Sequence, residues 1–205
     1  MREEERDQFT APVIVEEHPP IAIIRFNRPA ERNTLSLATL NQFDSAVSAL
    51  VARLDIKSII FTGTNDVFAS GANIGELRTL GPESAWEFAR RGQQLFQKIS
   101  DATQLTIAAI NGYCMGGALD LALACDLRHA SADAIFAHPG ARLGIITGWG
   151  GTQRLARLIG EGRALEILLT ARRVTSSEAL EIGLVNLVGD PVLDYALKVA
   201  GTLPR

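Results

Sequence analysis

Between Leu105 and Asp126 an apolar stretch (Leu105-Thr-Ile-Ala-Ala-Ile110) runs into a tight turn at Asn111-Gly112, and an apolar helix opens at Gly116-Gly117. A strand apolar on both faces that leads straight into an apolar helix is accommodated best within α/β layers. The same junction carries chemistry. Unpaired backbone N–H groups collect at a helix start, where the dipole also favours negative charge. Asp120 falls within about the first turn of that helix, so donors for an anion stand beside a possible acid or base. That combination suits a carbonyl whose oxygen becomes negative during a reaction.

The rest of the chain repeats the alternation of strands and helices. Residues 1–12 read as a loose polar leader, and the remainder of the 205 residues as one domain. Val13–His18 and Ile21–Phe26 predict a hairpin turning at Pro19-Pro20. Ser36 is placed to cap a helix with Leu37, Leu40, Phe43, Val47 and Leu50 at helical spacing. Lys57–Thr62 predicts a buried strand, 64–75 a loop, 83–99 a helix and Ala134–Ala137 a short strand. Helices are expected over 153–158 and 162–169. A capping box at Thr175-Ser-Ser-Glu178 starts another, which Gly183 stops. Leu184–Val188 reads as the last strand and Val192–Ala200 as the last helix.

Charge and cysteine usage narrow the partners. A net charge of −3 gives no reason to expect nucleic acid or an anionic membrane. Apolar runs are too short or too interrupted to span a bilayer. The start, Met1-Arg-Glu-Glu-Glu-Arg-Asp7, has no apolar signal core and is too acidic for a transit peptide. Cys114 and Cys125 lie in apolar contexts that suit buried thiols, so a reducing cytoplasmic setting is expected. No Cys/His cluster has metal-ligand spacing, and no metal or prosthetic group is expected.

Five motifs occur in order: Asn27-Arg-Pro29, Phe68-Ala-Ser-Gly-Ala-Asn-Ile-Gly-Glu-Leu77, Asn111-Gly-Tyr-Cys-Met-Gly-Gly-Ala-Leu-Asp-Leu121, Gly148-Trp-Gly-Gly-Thr-Gln-Arg-Leu155 and Ser177-Glu-Ala-Leu-Glu-Ile-Gly-Leu-Val185. Together they resemble the enoyl-CoA hydratase/isomerase family, the crotonase superfamily, from residue 13 to the end. The resemblance implies a ClpP/crotonase-like α/β spiral of repeated β-β-α units, assembled as trimers or dimers of trimers. It implies an acyl-CoA thioester as partner, with coenzyme A as part of the substrate. Its carbonyl would be polarised by the backbone N–H groups of Ala72 and Gly117. Ala72, Asn73, Ile74 and Gly75 would lie along the acyl-CoA, and Ala30, Glu31 and Arg32 would approach its nucleotide end. Family members usually continue for several dozen residues past the position of Arg205, in helices that help close the site. The expectation is therefore that this family segment is missing here.

The chain departs from the family pattern at one decisive place. Hydratases of the family carry two glutamates around one water. The first corresponds to Asp120, which keeps the carboxylate on a shorter side chain. The second follows Phe-x-x-Pro, and here Phe136-Ala-His-Pro-Gly140 supplies only a glycine. Asp120 is thus expected to act as the sole acid/base, with hydration or dehydration of an enoyl-CoA as the reaction. The alternatives are a carboxyacyl-CoA decarboxylase, an enoyl-CoA isomerase and a catalytically silent acyl-CoA-binding protein. His138 reads as a polar wall rather than a catalyst, although it could swing toward the gap at Gly140. Trp149 either lines the acyl pocket or covers the core. Gly150 and Gly151 read as a helix entry.

Overall fold

The computed structural model describes residues 11–202, so the leader expected over residues 1–12 lies almost wholly outside it. The chain starts with the expected hairpin, β1 (Val13–His18) and β2 (Ile21–Phe26), paired antiparallel from Val13↔Phe26 to His18↔Ile21. A 3₁₀ turn (Pro29–Glu31) leads to α1 (Leu37–Val51), whose cap is Ser36 accepting from the Thr39 amide. β3 (Ser58–Thr62) then pairs parallel to β2.

From here the path repeats. Each turn lays one strand in a large sheet and the next in a small one, then adds helix. β3 is followed by β4 (Val67–Ala69), α2 (Ile74–Leu77) and α3 (Pro82–Ser100). β5 (Leu105–Ile110) is followed by β6 (Tyr113–Met115) and α4 (Gly117–Ala124). β7 (Leu127–Ala130) is followed by β8 (Ile135–Ala137), a 3₁₀ turn (Pro139–Leu143), α5 (Gly151–Ile159) and α6 (Glu161–Thr170). β9 (Val174–Thr175), α7 (Ser176–Glu181), β10 (Leu187–Val188) and α8 (Val192–Ala200) complete the described chain. The large sheet has the order β1-β2-β3-β5-β7-β10, and the small one β4-β6-β8-β9. This is the spiral of β-β-α units expected of a crotonase-like α/β fold.

The central strands are buried on both faces because successive side chains feed different cores. Ile24, Phe26, Ile59 and Phe61 join the main core with the helices. There Phe26, Phe43, Phe61 and Phe68 make tilted and edge-on ring contacts 5.2–6.0 Å apart. Ile23, Ile60 and Ile107 point the other way, onto Val192, Ala196 and Ala200 of α8.

Several expected boundaries move. The stretch read as a loop over 64–75 contains β4 and the start of α2, and the turn after β5 contains β6. The last strand shrinks to Leu187–Val188, because Leu184 and Val185 turn back toward Ala179, whose carbonyl accepts from both amides. Thr175 caps α7 as expected, but Glu178 turns aside to Arg172 at 2.7 Å instead of closing the box.

Candidate active site

The small sheet places the first donor. Asn33 and Asn111, both side chains from outside β4, fix the backbone around it. Asn33 Nδ2 donates to the Val67 and Phe68 carbonyls at 2.8 and 3.2 Å. Asn111 Nδ2 donates to the Asn65 carbonyl at 2.8 Å, and its Oδ1 accepts from the Gly63 amide at 2.9 Å. The Leu35 amide then donates to the Gly71 carbonyl at 2.8 Å. Gly71 itself, at φ +84°, presses against the start of α4: a Cβ there would stand 2.7 Å from the Met115 oxygen and 2.8 Å from the Gly117 nitrogen. The residue before Ala72 thus abuts the amide of Gly117. Among the described residues neither the Ala72 nor the Gly117 amide donates to a protein group. Two unused donors, one at a helix start, border the same cavity.

That cavity, about 240 Å³, is mostly apolar. Its walls include Ile74, Leu77, Leu80, Phe88, Ile145 and Trp149. Trp149 resolves the either/or of the sequence, since it lines the cavity and is also only 3 % exposed within the core. Its ring fills a slot left by two glycines. A Cβ on Gly92 would stand 2.2 Å from Trp149 Cδ1, and one on Gly117 would stand 2.2 Å from Cζ3. The indole N–H donates to the Phe88 carbonyl at 3.3 Å, and Phe96 meets the ring edge-on at 5.5 Å. Gly92→Ala should therefore overpack this slot and cost about 1–3 kcal/mol, read as a lowered denaturant midpoint with unchanged slope.

The polar end of the cavity is built around Asp120, which is 1 % exposed. A carboxylate so buried must be compensated. One oxygen, Oδ1, faces His138 Nε2 at 3.2 Å, and the other accepts from the Thr147 hydroxyl. Oδ1 also lies against the first residue of α5, for a Cβ on Gly151 would meet it at 2.0 Å. The positive end of that helix dipole favours the charge. Gly150 and Gly151 are thus the expected helix entry, and the anion beside Gly151 belongs to the protein. Burial pushes the neighbouring Cys114 thiol up, with the Asp120 charge adding to it, so this cysteine stays a neutral core group.

The expected acyl-CoA contacts divide. Ile74 lines the cavity, whereas Asn73 caps α2, its side chain accepting from the Gly75 and Glu76 amides at 2.8 and 3.2 Å. Gly75 is exposed and stands off the cavity wall. An adjoining cleft shares Ser70 and Pro139 with the cavity and is lined by Ala30, Arg32, Arg142 and Arg173. Three arginines in one cleft suit an anionic ligand. Glu31 is not part of its wall and approaches Arg28 at 3.5 Å. His138 forms part of the polar wall, as expected, but its contact with Asp120 and the part played by Thr147 were not foreseen in the sequence. The available signal was strand pairing: β6 and β8 run parallel with Met115 beside Ala137, so the segments after both strands must meet.

Comparison with known proteins places the chain in one family. The profile described as enoyl-CoA hydratase/isomerase matches residues 16–204. The short-chain-enoyl-CoA hydratase of Clostridium acetobutylicum is 37% identical over 194 residues, covering 93% of this chain and 74% of that protein. The crotonyl-CoA hydratase of Syntrophomonas wolfei is 39% identical over 194 residues, with coverage of 93% and 75%. The crystal structure of an enoyl-CoA hydratase from Bacillus anthracis superposes with a TM-score of 0.88 at 34% identity, covering 93% of this chain and 76% of that one. The chain thus spans about three quarters of the length of these relatives.

Proposed function

The chain belongs to the enoyl-CoA hydratase/isomerase family as an enzyme of the hydratase type, and we propose that it hydrates short enoyl-CoA thioesters through the cavity between Ala72, Gly117 and Asp120. The observation that carries this reading is the pair of unused amides at Ala72 and Gly117, on two residues that line a cavity also lined by a buried carboxylate. A thioester oxygen held by both amides would draw the electrons of the conjugated double bond toward itself. Water then adds at Cβ, the charge rests on the oxygen as an enolate, and a proton returns to Cα. One donor of this kind is worth about 10²–10³ in rate. The proton moves at the Asp120 end of the cavity.

The apolar walls from Ile74 to Trp149 would take the acyl chain, and the arginine-lined cleft beside Ala30 would take the phosphates of coenzyme A. Decarboxylation generates the enolate by loss of CO₂ and needs a proton only afterwards, so it requires no base to activate water. The family assembly of trimers or dimers of trimers is the proposed state. The exposed leucines 158, 165 and 169 of α5 and α6 support it as apolar surface available for contact. A cytoplasmic setting is supported by the two buried free thiols.

The test is a panel of CoA thioesters supplied to the purified protein: 2-enoyl-CoAs of increasing length, a 3-enoyl-CoA and a carboxyacyl-CoA. The expected result is hydration of the shortest 2-enoyl-CoAs with the highest kcat/KM. Calorimetric binding of every thioester with turnover of none would replace this reading by the silent acyl-CoA-binding protein.

A further inference from the structure

The position where the family has its second carboxylate is closed to a side chain in this protein. A Cβ on Gly140 would stand 2.8 Å from the Ile145 carbonyl oxygen, which the tight turn brings inward through the 3.1 Å bond from the Ile145 amide to the Gly140 carbonyl. The same Cβ position lies 3.6 Å from His138 Nδ1. An imidazole nitrogen therefore borders the space that the missing carboxylate would enter, and His138, like Gly140, lines the cavity. His138 is 6 % exposed and its other nitrogen faces Asp120 Oδ1 at 3.2 Å. An ionised carboxylate only accepts hydrogen bonds, so the proton of the neutral ring sits on Nε2 and Nδ1 keeps its lone pair. Thr147 occupies the second oxygen of Asp120, which fixes the carboxylate in turn.

We infer that His138 Nδ1 is the proton-transfer group of the site and stands in for the absent carboxylate, while Asp120 and Thr147 act as positioning residues. The inference rests on the hydratase reading above and changes which atom takes the proton. Nδ1 removes one proton from water as the water oxygen bonds to Cβ. The π electrons of the double bond move into the enolate held by Ala72 and Gly117. The imidazolium, stabilised by Asp120, then returns that proton to Cα. One hydroxyl and one hydrogen have been added, and the histidine is neutral again. The arrangement follows the logic by which a buried aspartate sets the tautomer of a catalytic histidine.

The test uses the full chain with crotonyl-CoA, comparing His138→Gln and His138→Ala with the parent enzyme. Glutamine can still donate to Asp120 but is no base. His138→Gln should lose about 10²–10⁴ in kcat with KM within about threefold. Imidazole added to His138→Ala should restore turnover in proportion to its concentration, which a structural role would not produce. A parent enzyme that hydrates crotonyl-CoA while His138→Gln keeps kcat within about threefold overturns this inference and leaves the hydratase reading standing. Exchange of the α-protons of butyryl-CoA with heavy water gives a second readout of the same base. Exchange that survives in both variants also overturns it. A parent enzyme with neither hydration nor exchange overturns the inference and the hydratase reading together.

Discussion

Asp120→Asn should lower kcat for crotonyl-CoA hydration by about 10³–10⁴ while leaving thioester affinity within about threefold. The reason is a reversal of hydrogen-bond polarity. The carboxylate now accepts from His138 Nε2 and from Thr147. An amide in its place can donate to Nε2, which moves the ring proton to Nδ1 and leaves no lone pair facing the cavity. The same change removes the negative charge that stabilises the imidazolium. The apolar walls and the two free amides are untouched, so binding should survive. Steady-state kinetics beside calorimetry on one preparation separate the two effects. A variant that keeps wild-type kcat would remove Asp120 from the site's chemistry.

Gly71→Ala should fail in a different way, losing stability and rate together. At φ +84° an alanine is strained, and its Cβ would stand 2.7 Å from the Met115 oxygen and 2.8 Å from the Gly117 nitrogen. Backbone must move apart on both sides. The strain and overpacking should cost about 2–4 kcal/mol of stability. The movement also separates the Ala72 and Gly117 amides, so kcat/KM should fall by about 10²–10³, the loss of one oxyanion donor. Denaturant unfolding and kinetics at a temperature where the variant is folded measure the two parts. A folded variant with full activity would show that the Gly71 contact does not set the distance between the donors.

The contrast between these residues explains what was legible in the sequence. Gly117 and Asp120 sit in one contiguous motif, where a strand end, glycines and a helix start lie within a few residues, so local reading finds them, whereas Ala72 is reached only through the family resemblance. The long strands β3 and β5 and the helices α1 and α3 announce themselves by apolar run or periodicity. β4, β6 and β9 are two or three residues long, too short for a period-two pattern, and exist because neighbouring strands pair with them. The Asp120–His138 contact spans 18 residues and follows from the β6–β8 pairing. Asn33 and Asn111 pin β4 from different parts of the chain, which no local pattern records. Gly140 read as a loss because its identity was visible and its surroundings were not. The Ile145 carbonyl and the His138 ring around it turn an apparent gap into a shaped position.

Polarisation of a thioester carbonyl by the Ala72 and Gly117 amides is read directly by isotope-edited infrared spectroscopy. Asp120→Asn should hold crotonyl-CoA without consuming it. With a ¹³C label at the thioester carbonyl, the bound band should lie below its position in water, and Gly71→Ala in the same background should return it toward that position. A bound carbonyl band at or above its frequency in water would contradict the account, because a carbonyl with no donors on its oxygen cannot be carried to an enolate in this cavity.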